Sequence, residues 1–170
     1  MMRSKLLPLK KLGIMTEIER KFLVNSNDFK EEASKKTLFI QAYLNTHPER
    51  TTRIRITDDK AYMTIKGKSS ENGLSRFEWE KEIPLEDAKE LLKICEPGKI
   101  EKYRYHVNYG DHVYEVDEFL EDNDGLVLAE VELQDEEEVF KKPGWLGKEV
   151  TGNLAYYNSN LITKPYKNWK

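Results

Sequence analysis

The chain has 170 residues, 38% of them hydrophobic and 35% charged, with a formal net charge of -3. That length suits one domain with a substantial core; the three Trp, nine Tyr and six Phe argue against a disordered chain. Abundant but nearly balanced charge argues against a duplex-coating protein, which needs a basic excess, so no nucleic-acid partner is expected. Cys95 is the single cysteine, which rules out an internal disulfide framework and a cysteine-built zinc site. His47, His106 and His112 show no ligand spacing. No apolar run approaches the length of a membrane-spanning helix, so no membrane partner is expected and a cytoplasmic location fits.

Residues 1–14, MMRSKLLPLKKLGI, have too short an apolar stretch for a signal peptide, and Pro8 and Lys10-Lys11 break it. They read as a basic, disordered leader ahead of one domain over 15–170, with Met15 as an alternative start. Thr16 to Val24 alternates and predicts a strand. The capping cluster Asn25-Ser26-Asn27-Asp28 predicts a helix ending near Lys36. Strands follow over 37–46, 51–57, 60–66 and 76–83, with a turn at Asp58-Asp59 and a polar loop at GKSSENGLS. Pro84 opens a helix whose apolar face holds Leu85, Ala88, Leu91, Leu92 and Cys95, which places Cys95 as a buried, inert thiol. Strands at 100–109, 111–120 and 126–133 complete the set, and the tail from Asp135 reads as short helical pieces. Eight strands in short-loop order with two or three helices predict an α+β antiparallel sheet, open or closed into a barrel.

The period of two along each strand sorts the charges. One face carries Glu17, Glu19 and Lys21; Arg53 and Arg55; Thr64 and Lys66; Arg76, Glu78, Glu80 and Glu82; Lys102 and Arg104; Glu115 and Asp117; Glu130 and Glu132. Arg20 falls on the opposite face with Ile18 and Phe22. One wet sheet face explains any single strand. It explains the set less well. Asp and Glu are depleted in strands, and here most neighbours two apart, ~7 Å along a strand, share a sign. A face built for solubility would mix signs, since like charges repel. Segregation fits a ligand that supplies the counter-charges: divalent cations on the carboxylates and a polyanion on the Arg and Lys rows.

The segment EIERKFLV carries an E-x-E-x-K motif, and it is followed by QAYL at 41–44, RIR at 53–55, TIK at 64–66, SRFEWE at 75–80, EKYRY at 101–105, YEVDEF at 114–119 and AEVEL at 129–133. In order and spacing this resembles the CYTH superfamily, the triphosphate tunnel metalloenzymes, over residues 15 to about 160, and WLGKEVT at 145–151 is similar to the family's C-terminal segment. The resemblance implies a closed eight-stranded antiparallel β-barrel with its charged face inward and helices packed outside. It also implies metal-site carboxylates at Glu17, Glu19, Glu130 and Glu132, with Glu78, Glu80, Glu115 and Asp117 completing the acidic half. Lys21, Arg53, Arg55, Lys66, Arg76, Lys102 and Arg104 would bind phosphate oxygens. In members acting on inorganic triphosphate, a Tyr in a similar YL segment pairs with the motif lysine, which here implies Lys21 with Tyr43.

The reaction so implied is metal-dependent hydrolysis of a triphosphate, first of all inorganic triphosphate to pyrophosphate and phosphate. Mg²⁺ is the expected cofactor, two ions with Mn²⁺ as substitute, because hard oxygen donors suit both. The partner is then a small anionic triphosphate, and a homodimer is compatible with the pattern. A class IV adenylate cyclase or a thiamine triphosphatase is the enzymatic alternative. A polyphosphate- or nucleotide-binding module without hydrolysis is the alternative of another class, disfavoured by the carboxylates.

Overall fold

The structure, a computed structural model, describes residues 16–169; the expected leader lies outside the described residues. Nine strands form one antiparallel sheet: β1 (Thr16–Val24), β2 (Lys35–Asn45), β3 (Arg50–Thr57), β4 (Lys60–Ser69), β5 (Ser75–Ile83), β6 (Ile100–Tyr109), β7 (His112–Phe119), β8 (Val127–Leu133) and β9 (Leu146–Glu149). Their order is β5-β4-β3-β2-β6-β7-β8-β1-β9, and β5 also pairs with β1 through Thr16↔Phe77, Glu17↔Arg76 and Ile18↔Ser75. That last pairing closes the first eight strands into a barrel, which removes the exposed sheet edges an open sheet would have.

Two sequence expectations shift locally. The first helix, α1, is only Phe29–Glu32, because Lys35 and Lys36 already pair with His106 and Tyr105 on β6. The tail is not helical throughout: β9 joins β1 through Phe22↔Glu149 and Val24↔Leu146. The second helix, α2 (Leu85–Leu92), lies where its apolar face predicts and buries Ala88 against Ile54 and Ala61. Cys95 beside it is half-buried, and burial, then Glu96, pushes its thiol up.

The apolar side chains form three clusters, two on the outside of the wall and one across an end of the lumen. Phe22, Tyr105, Val107, Tyr114, Val116, Ala129, Val131 and Leu133 meet Phe29 of α1 and Trp145 of the tail. The Trp145 ring lies edge-on to Phe29 and Tyr114, 5.9 and 5.6 Å between centroids, and its indole donates to Glu32 at 2.8 Å. Ile100, Phe119, Leu126 and Leu128 pack against Leu161 of the last helix, α3 (Asn158–Thr163). Leu128, which alternation places beside Glu130, therefore ends the charged row and belongs to an apolar floor under the Lys102 end of the lumen. A charged inner wall and an apolar outer wall can both be satisfied because the barrel separates them.

Candidate active site in the barrel lumen

The lumen holds two communicating cavities that share Glu17, Glu19, Arg53, Lys66, Arg104 and Glu130. On one side of this waist stand Lys21, Tyr43, Arg76 and Lys102, closed over by Tyr157 and Asn158. On the other stand Arg55, Glu78, Glu80, Glu115 and Glu132. So every sequence-predicted site residue except Asp117 lines one cavity or both; the waist mixes the two signs, the side beyond it with Lys21 is basic, and the side with Arg55 is mainly acidic.

Strand register builds this polarity. Glu19 on β1 faces Glu132 on β8, Lys21 faces Glu130, and Glu130 faces Glu115 on β7. Thr64 on β4 lies between Arg53 and Glu80, and its hydroxyl donates to Glu80 at 2.7 Å while accepting from Arg53 at 3.1 Å. Lys66 reaches Glu17 at 3.1 Å and Glu78 at 3.4 Å. Arg53 and Arg55 both approach Glu80 at 3.5 Å. Lys21 stands 3.4 Å from Glu130 and 5.1 Å from the Tyr157 ring centroid.

Asp117 is placed differently. It is 1% exposed and takes Lys102 at 2.7 Å and both ends of the Arg104 fork at 2.7 and 2.8 Å. Arg104 also pairs with Glu115. Burial alone would raise the Asp117 carboxyl, but Arg104 and Lys102 outweigh it and hold it well below the usual carboxylate range. Its charge is committed to fixing two cations.

Other groups are held against their preferences. Burial, then the Glu130 charge, pushes the Glu19 carboxyl up to about 7. Burial, then Arg53, pushes Arg55 down to about 10, and burial also lowers Lys66 and Lys102. The Nε–H donors of Arg53 and Arg55 are buried with no hydrogen-bond partner among the described residues. Both signs are thus under-neutralised within one lumen.

Tyr43 is 5% exposed and opens onto the same cavity as Lys21. Among the described residues no hydrogen bond joins the two. Arg76 donates through Nε to the Gly67 carbonyl at 2.6 Å and through Nη2 to Thr51 Oγ1 at 3.1 Å, which leaves further N–H groups of the fork free of these two contacts. Lumen contributors not singled out from the sequence include Thr51, Gln41, Tyr157 and Asn158. Gln41 shares the inward phase of Tyr43 and was findable that way. Asn158 accepts from Lys102 at 2.8 Å and from Gln41 at 3.0 Å, and only the tertiary path of the tail puts it there.

Among the described residues no three carboxylates converge on one point as ligands of a single ion. Glu78, Glu115 and Glu130 lean toward cations on neighbouring strands, and Glu17 and Glu80 toward cations one strand further on. The donor chemistry nevertheless fits a hard dication. The Glu19 carboxyl makes no hydrogen bond or ion pair among the described residues, faces Glu132 across the ladder and resists ionisation beside Glu130. A divalent ion would relieve that repulsion.

A closed barrel whose buried inner wall carries unspent donors and a repelled carboxylate defines a receptor for a compact polyanion. The chain belongs to the CYTH domain family, whose pattern matches residues 15–166. It is 49% identical to an inorganic triphosphatase of Acetivibrio thermocellus over 155 residues, 91% of this chain and 97% of that protein. It is 36% identical to an inorganic triphosphatase of Nitrosomonas europaea over 151 residues, 86% and 97% of the two chains. A crystal structure of an inorganic triphosphatase superposes with a TM-score of 0.62 at 30% identity, covering 88% of this chain and 95% of that one.

Proposed function

We propose that the chain hydrolyses inorganic triphosphate to pyrophosphate and phosphate inside the lumen, with Mg²⁺, or Mn²⁺ in its place, as cofactor and two ions as the working number. The observation that carries this reading is the double frustration: unpartnered Arg53 and Arg55 donors stand across the same space from the raised Glu19 carboxyl. A metal-bound polyphosphate answers both at once. The near relatives support the choice of an inorganic substrate.

Phosphoryl transfer asks a protein mainly for position and charge. Arg53, Arg55, Lys66 and Arg104 would take phosphate oxygens along the waist, with Lys102 and Arg76 toward the capped end. The Arg forks suit bidentate contact. Glu19, Glu130 and Glu132, with Glu17 beside them, would hold the metal, and Glu78, Glu80 and Glu115 would extend the acidic half. A bound dication would screen the phosphate charge and lower the pKa of a water for attack. Attack by a water on a terminal phosphorus would break one P–O–P bridge, and pyrophosphate would leave with the bridging oxygen. Lys21 and Tyr43 would donate to oxygens of the terminal phosphate.

Incubation with tripolyphosphate, ATP and thiamine triphosphate, each with Mg²⁺ or EDTA, followed by assay of phosphate, pyrophosphate and cyclic AMP, tests the reading. Phosphate and pyrophosphate from tripolyphosphate, abolished by EDTA, are expected. No metal-dependent product from any substrate would sink the enzymatic reading; cyclic AMP from ATP would redirect it.

A further inference from the structure

Lys21 sits at a seam in the barrel. One edge of β1 pairs with β5 only over Thr16–Ile18, and with β9 only from Phe22 onward. Between these two partners the Glu19 amide donates to the Leu74 carbonyl at 3.0 Å. The Lys21 amide then donates to a side chain, Thr151 Oγ1, at 2.9 Å, while its carbonyl accepts from Val150 N–H at 2.8 Å.

What lies behind Thr151 gives this contact its direction. A threonine hydroxyl has one proton and two lone pairs. Thr151 commits its proton to Glu149 Oε2 at 2.6 Å, which leaves a lone pair facing the Lys21 amide. Glu149 is fixed in turn by Arg20, through Nε at 2.8 Å and through Nη2. Arg20 lies on the outer face, its guanidinium 5.0 Å from the Phe140 ring centroid. Past Thr151 the same stretch of chain bends over the lumen, where the Tyr156 carbonyl accepts from Lys21 Nζ at 3.4 Å and the Tyr157 ring lies beside it. One arm therefore holds Lys21 by its main chain from outside and by its ammonium from within.

An exposed ion pair contributes little to stability by itself. Here its effect passes inward, from guanidinium to carboxylate to hydroxyl to the amide of a lumen residue. We infer that Arg20, Glu149 and Thr151 are positioning residues for the proposed reaction, fixing the C-terminal arm to β1 so that the Lys21 ammonium meets the phosphate chain from one place. This rests on the reading of Lys21 as a phosphate contact.

The test compares Thr151→Val, which removes the acceptor at constant shape, with Thr151→Ser, which keeps it, and Arg20→Glu with the swapped pair Arg20→Glu/Glu149→Arg. Three quantities are read: kcat and KM for tripolyphosphate with Mg²⁺, its Kd in EDTA by calorimetry, and the thermal midpoint. Thr151→Val and Arg20→Glu should raise KM and Kd by about tenfold, the scale of a sub-ångström misplacement of a binding group. Thr151→Ser should stay near the parent, and the swapped pair, which restores the ion pair but leaves the Thr151 hydroxyl without its carboxylate acceptor, should recover only part of the loss. If Thr151→Val leaves KM and Kd at parent values, with any change confined to kcat or the thermal midpoint, the seam is structural only and the inference fails. Should that variant not fold, Glu149→Gln is read by the same criterion. A parent that neither binds nor hydrolyses tripolyphosphate overturns the phosphate reading of Lys21 instead, and that failure shows in the parent before any variant is made.

Discussion

Replacing Asp117 by Asn removes the charge that Lys102 and Arg104 share while keeping nearly the same shape. Lys102 and Asp117 side chains are each 2% exposed, so water cannot substitute. Breaking one partner of a buried pair costs about 3–5 kcal/mol. Arg104 keeps Glu115 and Lys102 keeps Asn158, which argues for the lower end, about 3 kcal/mol. For a chain of this size that lowers Tm by roughly 6–12 °C. The deficit should also depend on pH. Burial already pushes Lys102 down to about 8 with Asp117 present; without that carboxylate it falls further. Over the window between the lowered folded value and the ordinary lysine value, the unfolded chain binds more protons than the folded one. Stability of the variant therefore rises with pH there, and its deficit shrinks between neutral pH and pH 9. Urea unfolding of both proteins at pH 6.5, 8 and 9 reads this directly. A loss under about 1 kcal/mol, or one that does not change with pH, would refute the assignment of Asp117 as a clamp on two buried cations.

Tyr43→Phe should lower turnover of tripolyphosphate by about tenfold or more, the worth of a hydrogen bond to a charged group, with the thermal midpoint held; unchanged kinetics would remove Tyr43 from the mechanism. Tyr114 is fully buried, donates to the Lys141 carbonyl at 2.6 Å, and burial pushes its hydroxyl from 10.0 up to about 12. Its contribution is complete below pH 10 and is lost as pH rises through 12, so stability should fall by roughly 2–3 kcal/mol more in the parent than in Tyr114→Phe over that range; parallel curves in alkaline urea titrations would contradict this. Gly73 has φ 75°, and a Cβ there would lie 2.3 Å from Gly152 Cα. Gly73→Ala should destabilise by about 1–3 kcal/mol, read as a lower urea midpoint, and a neutral result would mean that the loop and the arm do not pack this closely.

The period-two pattern exposed the barrel because every wall strand had to turn one face to charge and one to oil. Glu17, Lys66 and Arg104 declared themselves in this way, and so did Arg20 as an outward residue. Where a strand runs into the floor the pattern stops meaning the same thing, and Leu128 joins Phe119 and Leu161 although it shares a phase with Glu130. The short strand β9 carried no alternation to read in its four residues, LGKE. Tyr157 and Asn158 were illegible for a different reason: their place in the lumen depends on the path of a long tail, and no local spacing encodes that path. Asp117 was legible as a lumen carboxylate, but its two cations come from register between β6 and β7, which alternation alone does not fix.

The closure of β1 on both β5 and β8 has a consequence for how the chain reaches this state. The partners of β1 include Leu133 on one edge and Thr151 on the other, so the first strand waits for residues far along the chain. Pairings of such long sequence separation form late and slowly. Until they form, the barrel is an open trough whose carboxylates and ammonium groups remain hydrated. The desolvation of Glu19, Lys21 and Lys102 is therefore concentrated in the final zippering of one strand. Added polyphosphate with Mg²⁺ would favour that last step most, acting on the folding of this protein as a template for its closing seam.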